Sequence, residues 1–167
     1  MMTSKPENTK ILIESSFRGD TVFKLPSAGW NTMTIFYLFF AVIWNSFNFR
    51  VLLSPTTPSI FSYVFFPIGA FPFFAFLYSF FMHADVVIGD GRLSVSRILF
   101  GLRISKSCAL LDVESIKQGV AYKRNYQPVY GIQVIYKPSG KMIFGSNLRN
   151  DEREWLIGEM NSARAQS

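Results

Sequence analysis

Cysteine and histidine are nearly missing from this chain: Cys108 and His83 are the only ones in 167 residues. One cysteine excludes an intrachain disulfide and any cysteine-based metal site. One histidine, with no other soft ligand near it in sequence, excludes a haem or zinc centre built on several such side chains. His83 beside Asp85 reads as a polar residue marking the end of an apolar segment. A phosphate-binding loop is missing too. Gly89-Asp90-Gly91 is followed by no Gly-Lys-Ser/Thr, so it reads as a turn. Asp85 with Asp90, and Asp112 with Glu114, are spaced as turn and strand-surface residues. Ser94, Ser96, Ser105 and Ser107 have no base spaced to activate them. No polar constellation converges, so the chain is expected to be neither an enzyme nor the holder of a cofactor. There is no internal repeat and no low-complexity segment.

The most informative absence is charge. No Asp, Glu, Lys or Arg occurs from Leu25 to Phe49, nor from Val51 to Ala84, and Arg50 alone separates the two runs. Most of the 18 phenylalanines fall between Ile35 and Phe81. Each run exceeds the ~20 residues that cross ~30 Å of hydrocarbon, and neither carries a polar face. They predict two transmembrane helices, at 31–49 and 60–82, joined by a link whose Pro55 and Pro58 end helices. Trp44, Asn45 and Asn48 lie toward the far end of the first, where the amides can reach headgroup water or the second helix. Pro67 and Pro72, with Gly69 and Ala70 between them, predict a kink in the second and a close approach of the first. No small-residue cleavage site precedes the first run, which reads as an anchor and not a cleaved leader. Trp30 is placed as an interfacial aromatic.

The formal net charge is +6. Residues 1–30 hold four basic and three acidic side chains, and residues 83–167 hold twelve and eight. Arg18 and Lys24 precede the first helix, and Arg92 and Arg97 follow the second. The positive-inside rule then places both termini in the cytoplasm of a two-span protein of the plasma or inner membrane. Basic and acidic residues are interspersed, so nucleic acid is not an expected partner.

The flanks read as strands. Residues 1–9 are polar and expected to fray. Ile11, Ile13, Ser15 and Phe17 share one parity, Arg18-Gly19-Asp20 signals a turn, and Val22 to Leu25 continues as a short strand. After His83, "ADVVIGDGRLSVSRILFGLRISKS" reads as a strand, a turn and a hairpin. "ALLDVESIKQGVAY" reads as a strand entered through Asp112, and "YKRNYQP" as a polar aromatic loop. "VYGIQVIYKPSGKMIFGS" is a hairpin turning at Pro138-Ser139-Gly140. The tail predicts a helix at 150–163, N-capped by Asn150, with Trp155, Leu156, Met160 and Ala163 on one apolar edge and Ile157 beside it.

Short antiparallel strands followed by one amphipathic helix resemble pleckstrin-homology-like domains, including those of uncharacterised bacterial membrane proteins. The hairpins "RLSVSRILFGLRIS" and "YGIQVIYKPSGKMIFG" and the helix "NDEREWLIGEM" carry the resemblance. It implies an α+β cytoplasmic domain, with an antiparallel sheet or partial barrel, beside the membrane α-helical hairpin. The pleckstrin-homology fold uses seven strands, and only five or six follow the second membrane helix. The strands within 10–25 are expected to supply the deficit. Residues 1–30, 31–82 and 83–167 would then form a β-domain split by a helical insertion.

Two surfaces are candidates for function. Lys123 and Arg124 lie between Tyr122 and Tyr126, a pattern of cations and aromatics suited to anionic headgroups. Arg97 and Arg103 on the first hairpin, with Arg92 and Lys106, can extend that surface. The expected partners are the lipid bilayer and a protein, either another chain or a second copy. The leading expectation is an interaction or scaffold module at the membrane; a lipid-docking or lipid-sensing module, and an accessory subunit of a membrane enzyme or transport complex, are the alternatives.

Overall fold

A computed structural model describes residues 4–15, 19–53 and 59–166, with the backbone alone for 59–62. Arg18, in the expected first turn, and Pro55 and Pro58, in the expected link, lie outside the described residues. The chain forms two compact units: residues 27–82, and the flanks 1–26 and 83–167 together.

The first unit is two helices, α1 (Thr32–Leu52) and α2 (Ser59–Phe81). Asn31 caps α1: its side chain accepts from the Met33 and Thr34 N–H groups at 2.9 and 3.1 Å. Thr34 Oγ1 accepts in return from the Asn31 N–H at 2.8 Å, closing a capping box. The helices are about 32 and 34 Å long at 1.5 Å per residue. Both are long and apolar enough to cross a membrane, with mean hydropathies of 1.5 over Thr32–Leu52 and 1.8 over Tyr63–Phe81.

They meet where α2 contains Pro67 and Pro72. Trp44 Nε1 donates to the Phe65 carbonyl at 3.0 Å, and Asn45 Nδ2 donates to the Gly69 carbonyl at 3.1 Å. Asn48 stays on its own helix and donates to the Trp44 carbonyl at 2.9 Å. A Cβ on Gly69 would stand 2.5 Å from the Trp44 ring, so the approach needs glycine there. Trp30 packs edge-on against Phe80 at 4.8 Å between centroids.

The second unit holds two antiparallel sheets and a helix. The first sheet runs in the order β1 (Leu12–Ser15), β2 (Thr21–Leu25), β3 (His83–Gly89), β4 (Arg92–Leu99), β5 (Leu102–Ala109). β2 pairs with β3 from Thr21↔Ile88 to Leu25↔Ala84. The strands on either side of the helices are therefore neighbours in one sheet, and the helical unit is an insertion between them. β1 departs from its expected pattern. Ile11 is buried just before it, but Ile13 is exposed, because β1 is a four-residue edge strand whose faces are left open.

A 3-10 turn at Leu110–Asp112, where a strand was expected to begin, leads to the second sheet. This sheet holds β6 (Val113–Arg124), β7 (Gln127–Tyr136) and β8 (Gly140–Phe144). Three hairpins close on two residues each, both at positive φ: Asp90-Gly91, Phe100-Gly101 and Asn125-Tyr126. That geometry matches the twist of paired strands. It also corrects the loop expected at 122–128. Pairing continues to Arg124↔Gln127, so the segment is the end of a long hairpin.

The core lies between the sheets and α3 (Asn150–Gln166), with Phe23, Val86, Leu93, Ile132, Val134 and Phe144 buried. Trp155, Leu156, Met160 and Ala163 point into it, as their spacing predicts. The cap lies one residue earlier than expected. Arg149 precedes the helix, its carbonyl accepts from the Arg153 N–H, and its own N–H donates to Glu152 Oε2 at 3.0 Å. Asn150 is the first helical residue and donates to Glu154 Oε1 at 2.7 Å. Arg153 is buried and satisfies the Tyr130 and Leu148 carbonyls at 2.9 and 3.1 Å. Two residues of the N-terminal segment expected to fray touch the domain. Lys5 Nζ sits 5.9 Å over the Trp155 ring, and the Glu7 carbonyl accepts from Arg149 at 3.1 Å.

Candidate functional site

Register places the β4–β5 hairpin tip at a particular end of the first sheet. The chain leaves this unit after Leu25-Pro26 and returns at His83-Ala84, and Leu25 pairs with Ala84. Ala84 pairs with Arg97 and His83 with Ile98, so Leu99-Phe100-Gly101-Leu102 extends past the crossing point. The tip is apolar and exposed to solvent: Phe100 is 62% exposed, Leu102 73% and Ile104 71%.

The two arginines expected together are separated by the pleat. Arg97 pairs opposite Ile104 on the face shared with Val95 and Lys106. Its Nη2 donates to the Ile143 carbonyl of β8 at 3.2 Å. Arg103 belongs to the other face, shared with Asp85, Ser96 and Ser105, where it pairs with Asp85 at 3.4 Å. A half-exposed guanidinium on a nearly buried carboxylate is a positioned pair, whereas the Lys24–Glu14 pair at 2.7 Å is exposed on both sides.

Two lysines join Arg97 at a cleft lined by β4, β5 and β8. Arg97, Lys106 and Lys141 line a cleft of about 110 Å³ over Val95, Ile104 and Met142. None of the three forms an ion pair among the described residues. Lys141 had no signal in the sequence. It lies 35 positions from Lys106, and only the strand arrangement unites them.

Tyr122, Lys123, Arg124 and Tyr126 form the other surface. They occupy the end of the β6–β7 hairpin, beyond the last β8 partner at Ile132↔Phe144. All four are exposed, Tyr126 almost completely. No hydrogen bond or ion pair joins this group to Arg97 or Arg103 among the described residues.

No group of three or more His, Cys, Asp or Glu side chains is placed to hold a metal ion among the described residues. His83 opens β3 opposite Ile98. Asp90 occupies a turn, and the Asp112 carbonyl accepts from the Lys137 N–H at 3.0 Å.

Cys108 is buried on the core face opposite Leu93. Burial pushes its thiol pKa up, and the Asp112 carboxylate adds to the shift. Because the folded value is raised, the neutral thiol stabilises the fold below the ordinary thiol range, and that contribution is lost as pH rises through the folded value. Cys108 should therefore resist maleimide at neutral pH and react stoichiometrically once denaturant opens the domain. Fast labelling of the native chain would contradict this burial.

No family model and no curated protein matches the chain.

Proposed function

We propose that this is a two-span protein of the plasma or inner membrane, with both termini in the cytoplasm, whose split pleckstrin-homology-like β-domain docks on the lipid surface. The observation that carries the reading is the Leu25↔Ala84 pair with the exposed apolar hairpin end of β4 and β5 following it in register. Short stretches of chain join this sheet end to α1 and α2: five residues, Pro26 to Trp30, before the Asn31 cap, and Met82 alone after α2. With the helices in a bilayer, both strands of that pair are tethered to it by these connections. Phe36, Phe39, Phe66, Phe71 and Phe74 are exposed on the helices, a surface that suits hydrocarbon and not water. The basic flanks support the cytoplasmic side.

Docking fits the chemistry of the tip. Phe100, Leu102 and Ile104 offer an apolar wedge, and Arg97 and Arg103 flank it with cations able to reach phosphates. A second reading, an interaction module for a protein partner, is favoured by the β6–β7 hairpin end. Tyr122 and Tyr126 are displayed there on a projecting ribbon, and exposed aromatics beside cations are what interface anchors require.

The test uses the full chain in proteoliposomes, in a Cys108→Ser background. An environment-sensitive dye at Phe100→Cys should emit as in an apolar medium and be quenched by nitroxide-labelled lipid. The same dye at Tyr126→Cys should report water. Water-like emission at Phe100→Cys would remove the docking reading and leave the protein-partner reading.

A further inference from the structure

We infer that the face of the first sheet turned away from the core is a pairing surface for a second copy of this chain. The inference rests on the two-span reading and is independent of docking at the tip. Register divides the sheet into two faces. Phe23, Val86, Leu93 and Val95 lie on the core face, where the second sheet and α3 pack. Lys24, Asp85, Ser96 and Ser105 form one cross-strand row on the other face, and Val22, Val87, Ser94 and Ser107 form the next. No apolar side chain of these two rows is buried.

The order of charges names the occupant. From β1 to β5 this face carries Glu14, Lys24, Asp85 and Arg103, which are acid, base, acid, base. Within the chain they form two pairs, Lys24–Glu14 at 2.7 Å and Arg103–Asp85 at 3.4 Å. The second pair spans β4 at Ser96, so the Arg103 head lies one strand inward of its own backbone. A two-fold axis in the interface, running along the strands between β2 and β3, reverses this order in the second copy. Glu14 then meets Arg103 of the second copy, and Lys24 meets its Asp85. Every contact is opposite in sign, the self-complementarity that an isologous interface demands. The same axis sets Val22 of one copy on Val87 of the other and brings the exposed Leu12 over the short serines of β4. Sheets pack face to face at about 10 Å, which such a shallow floor permits. Glu14 and Arg103 stay at the rim.

The anchors favour this partner. An axis along the strands keeps Leu25 and Ala84, beside which the chain leaves and re-enters this unit, at the same end of both copies. Two chains anchored in one bilayer require that relation, and sharing a bilayer raises their effective concentration. Antiparallel pairing along the β5 edge would set those ends apart.

The experiment uses the full chain in proteoliposomes, in a Cys108→Ser background, with Val87→Cys joined by a short bismaleimide. The otherwise unaltered chain should cross-link to a dimer. Lys24→Glu and Asp85→Lys each place two like-charge contacts in a symmetric pair, so each alone should lower the dimer yield about tenfold. Mixing the two variants before reconstitution makes all four contacts opposite in sign and should restore the yield, with one of each chain per dimer. A purely intrachain role for these charges would give no such rescue. Cys108 protection from maleimide, in versions that retain that thiol, reports that each variant is folded. Absence of a dimer in the otherwise unaltered chain overturns the pairing without reference to any charge variant. Single variants that dimerise normally, or a mixture that fails to rescue, overturn the charge assignment. A dye at Val87→Cys that reports burial without a homodimer gives the face to another occupant and also overturns the pairing. Flotation of the vesicles reads insertion separately. Protein that floats and does not cross-link defeats the pair alone, whereas protein that cross-links without floating defeats the two-span reading alone.

Discussion

Trp155→Ala should destabilise the β-domain by about 3–5 kcal/mol, a large share of the ~5–15 kcal/mol that a domain of this kind possesses. The indole is 4% exposed and sits among Leu156, Met160 and the buried residues of both sheets. Removing it leaves a cavity under α3, and it also takes away the ring over which Lys5 lies. The helix cannot compensate by itself. Gly158 weakens it by about 1 kcal/mol relative to alanine, so its order depends on packing. Maleimide labelling of Cys108 through a urea titration reads this unfolding specifically, because that thiol is buried in the same core. Trp30→Ala is the matched control, since Trp30 belongs to the helical unit and is 65% exposed. It should leave the Cys108 transition in place. A Trp155→Ala shift below about 1 kcal/mol would mean that α3 is not a structural part of the domain.

The helices were the most legible part of this chain, because two uncharged runs broken only by Arg50 leave few alternatives. Pairing across the insertion was legible for a different reason. The flanking strands were too few on either side alone, and an isolated two-strand hairpin is marginal in water. What escaped the sequence had identifiable causes. The Asn125-Tyr126 turn looked like a loop because tyrosine rarely takes φ near 64°, and no glycine announced the hairpin. Arg153 carried no signal in the sequence; its guanidinium is buried on two main-chain carbonyls. The α3 cap moved to Arg149 because Glu152 reaches back to that backbone N–H, which left the Asn150 side chain for Glu154 and Arg153.

The candidate surface was legible in part. Arg97 and Arg103 are near in sequence, but an even spacing of six residues that spans a two-residue turn puts them on opposite faces of the sheet. The cationic cleft was out of reach, because Lys141 meets Lys106 only through the packing of separate sheets. The apolar tip was present as "ILFGL", but its meaning depends on Ala84↔Arg97 and Leu25↔Ala84, which place it beyond the chain crossing. Alternation identifies a hairpin; only register says where its tip goes.

The central claim is that the helices are a membrane insertion within one β-domain, so that both flanks lie on one side of the bilayer and the link on the other. Its effect on labelling is all-or-none. In a Cys108→Ser background, single cysteines replace Glu14, Thr56 and Lys123, and each variant is treated in sealed, uniformly oriented vesicles with a membrane-impermeant maleimide. Glu14 and Lys123 are exposed in the two flanks, so their accessibility is not in question. The account predicts that Glu14→Cys and Lys123→Cys label together, and that Thr56→Cys labels only from the opposite face. Labelling of all three from one face, or of Glu14→Cys and Lys123→Cys from opposite faces, would contradict it.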